Sequence, residues 1–332
     1  LVKLLGILIS FLIPLESNTG ENRVAASPET AKKLISLGCH VFLEQGAGTK
    51  AGFSDDAYRN VGGELFSPEN VDLWGKVDVV LCVQVPCKEK LERMKPKSLV
   101  VGLLAPHGNE ELANTLRLRS LSAMALELLP RISRAQSADA LSSQANIAGY
   151  KAVLLGAAAL DRYFPMLMTA AGTVQPAKVV ILGAGVAGLQ AVATAKRLGA
   201  VVYVSDIRPE VKEQVESLGA RFIAPPDMTE ITSDKAVYAK QASEEFLKAQ
   251  RQKLSDHLAE VDVAICTAQV PGKPAPQLVS EDMLDRMRSG SVVVDIAIDQ
   301  GGNCWGTKKG ETLVRKGVKL IGASDLPSSV PN

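Results

Sequence analysis

A glycine-rich turn between a strand and a helix constrains the fold of this chain most strongly. Val179–Leu182 is a continuous apolar run, and Gly183-Ala-Gly185-Val-Ala-Gly188 follows it directly. In this spacing the first glycine permits a tight turn, the second lets the backbone approach a pyrophosphate, and the third lets helix and strand pack closely. The helix that follows presents free N–H groups and the positive end of its dipole to phosphates.

An acidic residue completes this fingerprint. Asp206 follows the strand-like run Val201–Ser205 and lies 23 residues after Gly183, where the dinucleotide motif places an acid after about 20. A carboxylate there accepts the ribose hydroxyls of NAD and repels the 2′-phosphate of NADP. Arg208, two residues further on, would soften that preference. The alternative is a structural glycine turn in an unrelated α/β protein.

Strand-like and helix-like segments alternate along the 332 residues, which exceed one ordinary domain. Runs such as Val79–Val83 are continuously apolar, as in buried parallel strands. The alanine-rich segment Ser142–Leu160 predicts a long linking helix. We therefore expect an α/β protein with two Rossmann-like domains, residues 1–140 and 141–327, each built on a parallel sheet, with a cofactor cleft between them and a short truncated tail at 328–332.

The first fifteen residues, Leu1–Leu15, are nearly all apolar. They fit either the core of a signal peptide or a buried first strand, and they are too short for a membrane-spanning helix, which needs about 20 residues. A turn-rich segment, Glu16–Asn22, and a helix start at Ser27 follow directly. We favour a strand that ends near Ile13.

Composition excludes several classes of protein. The 37 Lys and Arg residues balance 36 Asp and Glu residues, and aromatic residues make up only 4%; both values disfavour a nucleic-acid partner. The five cysteines are scattered without a Cys-x-x-Cys pair, and the three histidines are far apart. We therefore expect neither a disulfide framework nor a metal site, and a reducing compartment.

A polar stretch at the predicted domain junction is a second candidate site. Arg131, Gln136, Asp139 and Ser142 lie within twelve residues, and clefts between domains are common ligand sites. Arginine can clamp carboxamide or phosphate oxygens, glutamine and serine can orient an amide, and aspartate can order the arginine. The alternative is a solvated loop held by local ion pairs.

Three further segments remain open on the residues alone. Val270–Pro276 is either a ligand loop at a strand end or a rigid connection. Asp295 and Asp299 are either site acids or turn formers. His107, between proline and glycine, fits a turn residue better than an acid/base group.

The polar stretch carries a family resemblance. Arg131–Gly149, RISRAQSADALSSQANIAG, resembles the signature loop and linking helix of the NAD(H)-binding component of proton-translocating nicotinamide nucleotide transhydrogenases. The agreement extends through Thr169–Ala191, the PGKPAP segment Pro271–Pro276 and the GGNC segment Gly301–Cys304, and it covers nearly the whole chain. The position after Ile13-Pro14 departs from the family, because Leu15 stands where a lysine is usual.

The resemblance implies direct hydride transfer between NADH and an NADP(H) held by a separate component, coupled by a membrane component to proton movement. It also implies a homodimer and a soluble domain peripheral to a membrane, facing the bacterial cytoplasm or the mitochondrial matrix. Four residues would position the dihydronicotinamide ring, its carboxamide and its ribose: Arg131, Gln136, Asp139 and Ser142. Ten would bind the rest of the cofactor: Gly183, Gly185, Val186, Gly188, Asp206, Ile207, Arg208, Tyr238 (on a closing loop), Gln250 and Gln269.

Alanine dehydrogenase, which shares the two-domain layout, is the rival family. Arg23 matches its carboxylate-binding arginine, and the segment around Asp299 resembles it. However, its substrate lysine would fall near Gln84 and its catalytic histidine near Ala105, so two substrate groups are missing. An NAD-binding module without activity of its own is the third alternative.

Overall fold

A computed structural model describes residues 8–130, 132–224, 244–270 and 273–332. Within them the chain divides into two compact units. Unit 1 contains the described residues up to Ser143 together with Pro327–Asn332, and unit 2 is Gln144–Leu326. Each unit contains a parallel or mostly parallel sheet with helices, so the expected α/β, Rossmann-like fold is confirmed.

Unit 1 is built on a six-stranded sheet with the order β3-β2-β1-β4-β5-β6, in which every pair is parallel. Its strands are β1 (Ser10–Ile13), β2 (His40–Glu44), β3 (Glu64–Phe66), β4 (Val79–Gln84), β5 (Leu99–Leu103) and β6 (Ser122–Ala125). Its helices are α1 (Pro28–Ser36), α2 (Asp55–Arg59), α3 (Lys88–Arg93) and α4 (Glu110–Leu118). The strand expected near Ile13 is β1, at the centre of this sheet.

Local sequence signals explain where these helices begin. The Ser27 hydroxyl accepts a hydrogen bond from the Thr30 N–H, and Pro28 occupies the first turn of α1. The Asn109 side chain caps α4 in the same way by accepting from the Leu112 N–H. One cluster of buried apolar side chains contains Leu12, and a second cluster contains Ile13. These alternating residues of β1 therefore belong to the two layers of the core.

Unit 2 is built on a seven-stranded sheet with the order β11-β10-β9-β12-β13-β15-β14. The elements from the end of unit 1 onward are α5 (Ala140–Ala159), β7 (Leu167–Thr169), β8 (Gly172–Val174), β9 (Lys178–Leu182), α6 (Val186–Arg197), β10 (Val201–Ser205), α7 (Lys212–Ser217), β11 (Arg221–Phe222), α8 (Glu244–Leu258), β12 (Val263–Cys266), α9 (Glu281–Arg286), β13 (Val292–Asp295), β14 (Thr312–Arg315) and β15 (Val318–Gly322). Only the edge strand β14 is antiparallel to its neighbour among these pairings.

The strand order places a switch point in the middle of each sheet. From β9 the chain proceeds to β10 and β11 on one side and then returns to β12 on the other. In unit 1 the same reversal occurs at β1, which lies between β2 and β4. Ligands of open parallel sheets bind beyond the carboxyl ends of the strands at such points. Every residue of β12 and β13 is buried, so the strands that carry the site of unit 2 belong to its core.

Strands β7 and β8 form a separate antiparallel hairpin in which all six residues are exposed. Met168 keeps 74% of its surface exposed, and Met166 and Tyr163 nearby are also exposed. No helix of the described residues combines the length and the apolar character needed to cross a bilayer.

Helix α5 approaches α6 closely at one glycine. A Cβ on Gly149 would lie 2.0 Å from the Ala187 carbonyl oxygen, whereas a Cβ on Gly156 would meet a Val263 side-chain carbon at 2.9 Å. The first neighbour is a backbone atom at the start of α6, and moving it would require a shift of the helix. The second is the tip of a side chain.

We therefore expect Gly149→Ala to lower the free energy of unfolding by about 3 kcal/mol or more, because the new methyl group would push α5 off α6. Gly156→Ala is the matched control. It should change the unfolding free energy by less than about 2 kcal/mol, since the gain in helix propensity offsets part of the crowding. Urea unfolding of the two variants measures this difference, and equal losses would contradict the backbone contact.

Candidate dinucleotide site

The glycine turn lies at the switch point of unit 2. Gly183 leaves β9 with φ +102°, a left-handed conformation that favours glycine. Gly185 is the N-cap of α6, with φ −76° and ψ −169°. The first turn of α6 therefore begins immediately beyond the carboxyl end of β9. Its N–H groups have no partner within the helix and are directed to where an anion would bind.

The three glycines have different physical reasons to be glycine. A Cβ on Gly188 would lie 1.8 Å from the Gly183 carbonyl oxygen, and a Cβ on Gly183 would lie 3.1 Å from the backbone of Ala268. At both positions the neighbouring backbone therefore leaves no room for a side chain. A Cβ on Gly185 would meet no atom within 4 Å. Packing does not require glycine there, but the close approach of a pyrophosphate to the backbone would.

Thr267, directly after β12, stabilises this turn by hydrogen bonds. Its hydroxyl donates a shared hydrogen bond to the carbonyl oxygens of Leu182 and Gly183, at 3.1 and 3.0 Å. The Thr267 N–H also donates to the Leu182 carbonyl. The sequence motif does not include this residue, and its position at the end of an apolar strand was the only signal for it.

Asp206 lies at the carboxyl end of β10, as the spacing predicted. Its Oδ2 accepts from the Ala184 N–H at 2.7 Å, so the carboxylate braces the glycine turn. The Arg208 N–H and Nε donate to Oδ1, and Arg208 Nη2 donates to Oδ2 at 2.9 Å. Burial opposes ionisation, but the hydrogen bonds from Arg208 and Ala184 outweigh it and hold the pKa of Asp206 below its ordinary value.

The Arg208 guanidinium competes for the acceptor positions of this carboxylate. Each oxygen of Asp206 already accepts two hydrogen bonds, and a carboxylate offers about four such positions. The side chain of Arg208 is half exposed and is able to leave. A ribose diol that bonds to Asp206 would therefore exchange with the guanidinium.

The structure describes four of the five remaining predicted contacts. Val186 and Ile207 are exposed apolar residues beside the glycine turn and Asp206. Gln269 is exposed and donates through Nε2 to the Ile296 carbonyl at 3.0 Å. Gln250 is a half-buried residue of α8. Tyr238 lies outside the described residues.

The polar stretch in unit 1 forms a 3₁₀ segment, Ser133–Ala138, that leads into α5. Asp139 Oδ1 accepts from the Ser142 N–H at 2.9 Å, and Asp139 Oδ2 accepts from the Ser142 hydroxyl at 2.6 Å. This pair caps α5. Gln136 and Asp139 line a pocket of about 370 Å³ together with five neighbours: Leu129, Pro130, Ile132, Ser133 and Ala135. Arg131 lies outside the described residues.

The switch point of unit 1 holds a polar network rather than a glycine turn. Arg23 Nε and Nη2 donate to the two oxygens of the fully buried Glu21 at 2.8 and 2.6 Å. Gln84 Nε2 donates to Glu21 Oε2 at 2.6 Å, and Asn18 Nδ2 donates to Gln84 Oε1. Burial works against ionisation of Glu21, but the hydrogen bonds from Arg23 outweigh it and keep its pKa below the ordinary value.

Glu16 and Glu127 satisfy backbone donors at the same edge of the sheet. Glu16 Oε1 accepts from the Val83 N–H at 2.6 Å, and burial raises its pKa despite this bond. Glu127 Oε1 accepts from the N–H of Ala105, which has φ +44°. The sequence patterns pointed to none of Glu16, Glu21 and Glu127 as a site residue, although Glu16 and Glu21 lie in the turn-rich segment Glu16–Asn22.

The structure describes all but two residues of the three segments left open, and the first of them, Val270–Pro276, stays unassigned. Asp295 is a buried turn former whose oxygens accept from the Ala297, Asn303 and Cys304 N–H groups. Burial raises the pKa of Asp295, although those bonds favour the charged form. Asp299 pairs with Lys309 at the surface, and His107 is exposed in a turn. Pro271 and Gly272 of the PGKPAP segment lie outside the described residues.

No group of three or more His, Cys, Asp or Glu side chains within residues 8–130, 132–224, 244–270 and 273–332 is arranged to hold a metal ion. The described cysteines are all free thiols.

Comparison with known proteins identifies the family. The family described as "Alanine dehydrogenase/PNT, N-terminal domain" matches residues 12–148, and "Alanine dehydrogenase/PNT, C-terminal domain" matches residues 152–332. The chain therefore belongs to the alanine dehydrogenase/PNT family.

Within that family the chain is more similar to the transhydrogenases than to the alanine dehydrogenases that were compared. It is 48% identical to an NAD(P) transhydrogenase alpha subunit of Rhodospirillum rubrum over 96% of this chain and 84% of that protein. A solved transhydrogenase structure from Sinorhizobium meliloti superposes with a TM-score of 0.89 at 43% identity, covering 97% of this chain and 88% of that one. Alanine dehydrogenase of Bacillus subtilis is 30% identical over 96% of this chain and 80% of that protein. The resemblance drawn from the sequence is confirmed, and the similarities support an oxidoreductase that is a component of an NAD(P) transhydrogenase.

The glycine turn yields a matched pair of variants. We expect Gly188→Ala to destabilise unit 2 by about 3 kcal/mol or more, because its methyl group would meet the Gly183 carbonyl. Gly185→Ala should leave the unfolding free energy within about 1 kcal/mol but weaken NADH binding by roughly tenfold or more, since its methyl group would lie where the pyrophosphate approaches.

Urea unfolding and calorimetric titration with NADH separate the two effects. Unchanged NADH affinity in Gly185→Ala would contradict the assignment of the glycine turn as the pyrophosphate site.

Proposed function

We propose that this chain is the NAD(H)-binding component of a proton-translocating transhydrogenase. In that role it takes part in direct hydride transfer between its own NADH and an NADP⁺ bound to a partner component. The observation that carries this proposal is the contrast between its two switch points. Unit 2 keeps an open glycine turn for a dinucleotide, whereas unit 1 carries no lysine or histidine where an amino-acid dehydrogenase would need them.

The contacts of Gln84 support this choice of reaction. Oxidative deamination of alanine requires groups that bind the substrate and move protons. Gln84 has no titratable proton, and its amide is engaged by Asn18 and Glu21. Ala105 stands where the catalytic histidine would fall. Hydride transfer between two nicotinamide rings needs no proton abstraction, so the protein has only to position the rings and exclude water.

The residues of unit 2 fit NAD(H). The bound dinucleotide supplies the nicotinamide ring that carries the hydride. The first turn of α6 would bind the pyrophosphate, Gly185 would allow its approach, and Asp206 would accept the adenosine ribose hydroxyls after exchange with Arg208. Ile207 offers an exposed apolar surface next to that ribose position.

In unit 1, Gln136 and Asp139 would orient the nicotinamide end. Gln136 is exposed at the pocket, so its amide is available to a carboxamide. Asp139 is fixed by its two bonds to Ser142. We assign Arg131, Tyr238 and Gln250 to the same cofactor on the family resemblance alone.

The partners follow from the same proposal. One is the component that holds NADP(H), and another is a membrane component that couples hydride transfer to proton movement. The chain would then lie peripheral to a membrane, on the side of the bacterial cytoplasm or the mitochondrial matrix.

We further propose that the chain forms a homodimer through the β7–β8 hairpin. An isolated two-stranded hairpin is marginal in water, and this one exposes Met166, Leu167, Met168 and Val174. A second copy of the same hairpin would cover these side chains and extend the pairing.

A reconstituted mixture tests the catalytic proposal. The purified chain should reduce an NADP⁺ analogue with NADH only after a purified NADP(H)-binding component is added. Alanine-dependent reduction of NAD⁺ by the chain alone would establish alanine dehydrogenase instead. If the chain binds NADH but no mixture shows hydride transfer to the NADP⁺ analogue, the chain is an NAD-binding module without activity of its own.

The positioning residues have a kinetic prediction. We expect Gln136→Asn and Asp139→Asn each to slow single-turnover hydride transfer by roughly tenfold or more, because the ring would be misplaced. Asparagine is also a good N-cap, so Asp139→Asn should retain the start of α5 and the thermal midpoint. Ser137→Ala, a change at an exposed neighbour, serves as the control. Unchanged single-turnover rates would refute these roles.

The dimer has its own test. We expect Met168→Glu to raise the dimer dissociation constant by about tenfold or more, because each interface would bury a charge. Val314→Glu, on the exposed edge strand β14, is a matched control and should leave association unchanged. Sedimentation velocity over a concentration series measures both. If Val314→Glu dissociates the dimer, or if Met168→Glu does not, the interface lies outside the β7–β8 hairpin.

A further inference from the structure

We propose that Asn303 is a positioning residue that holds the segment after β12, residues 268–270, against the glycine turn and thereby sets the affinity for the nicotinamide half of NAD(H). This inference rests on the proposed function of unit 2. Asn303 belongs to the GGNC segment, to which neither the cofactor contacts nor the hydride-transfer roles above assign any function.

The Asn303 amide is fully buried, and its polar atoms bond to the backbone of Ala268 and of Pro276. Oδ1 accepts from the Ala268 N–H at 3.0 Å. Nδ2 donates to the carbonyl oxygens of Ala268 and Pro276, both at 2.8 Å. Because a planar amide holds its two N–H donors and its acceptor oxygen in fixed directions, this side chain links Ala268 to Pro276 at a defined distance.

The backbone of Asn303 strengthens the same attachment. Its carbonyl accepts from the Leu278 and Val279 N–H groups, and its N–H donates to Asp295 Oδ2 at 2.8 Å. Asp295 is itself completely buried and also accepts from the Thr307 hydroxyl. The Asn303 backbone is therefore bonded to Asp295 at the end of β13, while its side chain bonds to Ala268 after β12.

The held segment adjoins the dinucleotide site. Ala268 lies 3.1 Å from the position of a Cβ on Gly183, and Gln269 follows it. The strand order also assigns the portion of the cofactor involved. Asp206 at the end of β10 takes the adenosine ribose, the turn after β9 takes the pyrophosphate, and β12 lies on the opposite side of β9. The nicotinamide half must then pass over the segment that Asn303 holds.

Binding measurements on the full chain test this role. Asn303→Ser removes the long amide without adding a charge, and we expect NADH affinity to fall by about tenfold. Affinity for AMP, which would reach only the β10 side, should stay within about twofold. Thr307→Val is the matched control, because it removes one hydrogen bond to Asp295 without releasing the segment. It should lower stability but leave both affinities unchanged.

Calorimetric titrations with NADH and AMP give each affinity, and circular dichroism establishes that the variants are folded. If Asn303→Ser does not fold, Asn303→Asp keeps the side-chain size and the acceptor for Ala268 but loses both Nδ2 donors, and the same selective loss of NADH affinity is expected. Equal losses for NADH and AMP, or no loss for either, would overturn the role of Asn303 alone. A parent chain that binds neither ligand would overturn the proposed function as well.

Discussion

The contact between two stretches of backbone at the glycine turn is the constraint on which unit 2 depends. At Gly188 the start of α6 lies so close to the Gly183 carbonyl that no side chain fits between them. The same end of α6 receives α5 at Gly149, again against a backbone carbonyl. Glycines therefore bring three elements together at one point, and the helix N-terminus that results is directed beyond the end of β9.

Around this turn, polar side chains stabilise the backbone by hydrogen bonds. Asp206 holds the Ala184 N–H, Thr267 holds the Leu182 and Gly183 carbonyls, and Asn303 holds Ala268. Each comes from a different strand end or loop, and each forms a hydrogen bond with a backbone group at or beside the turn. The rigidity of the turn is thus distributed over several strands. The role proposed for this site, positioning a nicotinamide ring, would benefit from such rigidity, because small displacements of reacting groups lower the rate.

The sequence predicted the features of this arrangement that depend on local spacing. The strand at Val201–Ser205, the glycine turn and Asp206 follow from short-range patterns, and the buried strands follow from continuous apolar runs. Thr267 and Asn303 could not be found in this way, because their partners lie 84 or 85 and 27 or 35 residues away in the chain. The competition of Arg208 for Asp206 was likewise invisible, since it depends on rotamers rather than on spacing. Composition marked Gln136 and Asp139 as members of a polar stretch, the family resemblance supplied their expected roles, and the structure added that Asp139 also caps a helix.

The two units illustrate how one topology gives opposite surroundings at equivalent positions. Both sheets reverse their strand order at a central strand, β1 or β9, and both could bind a ligand beyond it. In unit 1 that position contains Glu21, Arg23 and Gln84, whose hydrogen bonds are directed largely to one another. In unit 2 the same position contains a glycine whose missing side chain would touch nothing. An anionic dinucleotide would have to displace a buried ion pair in unit 1, at the cost of leaving charges unpaired, whereas in unit 2 it meets free N–H groups. The proposal that the cofactor binds to unit 2 therefore rests on which switch point has already satisfied its own polar groups.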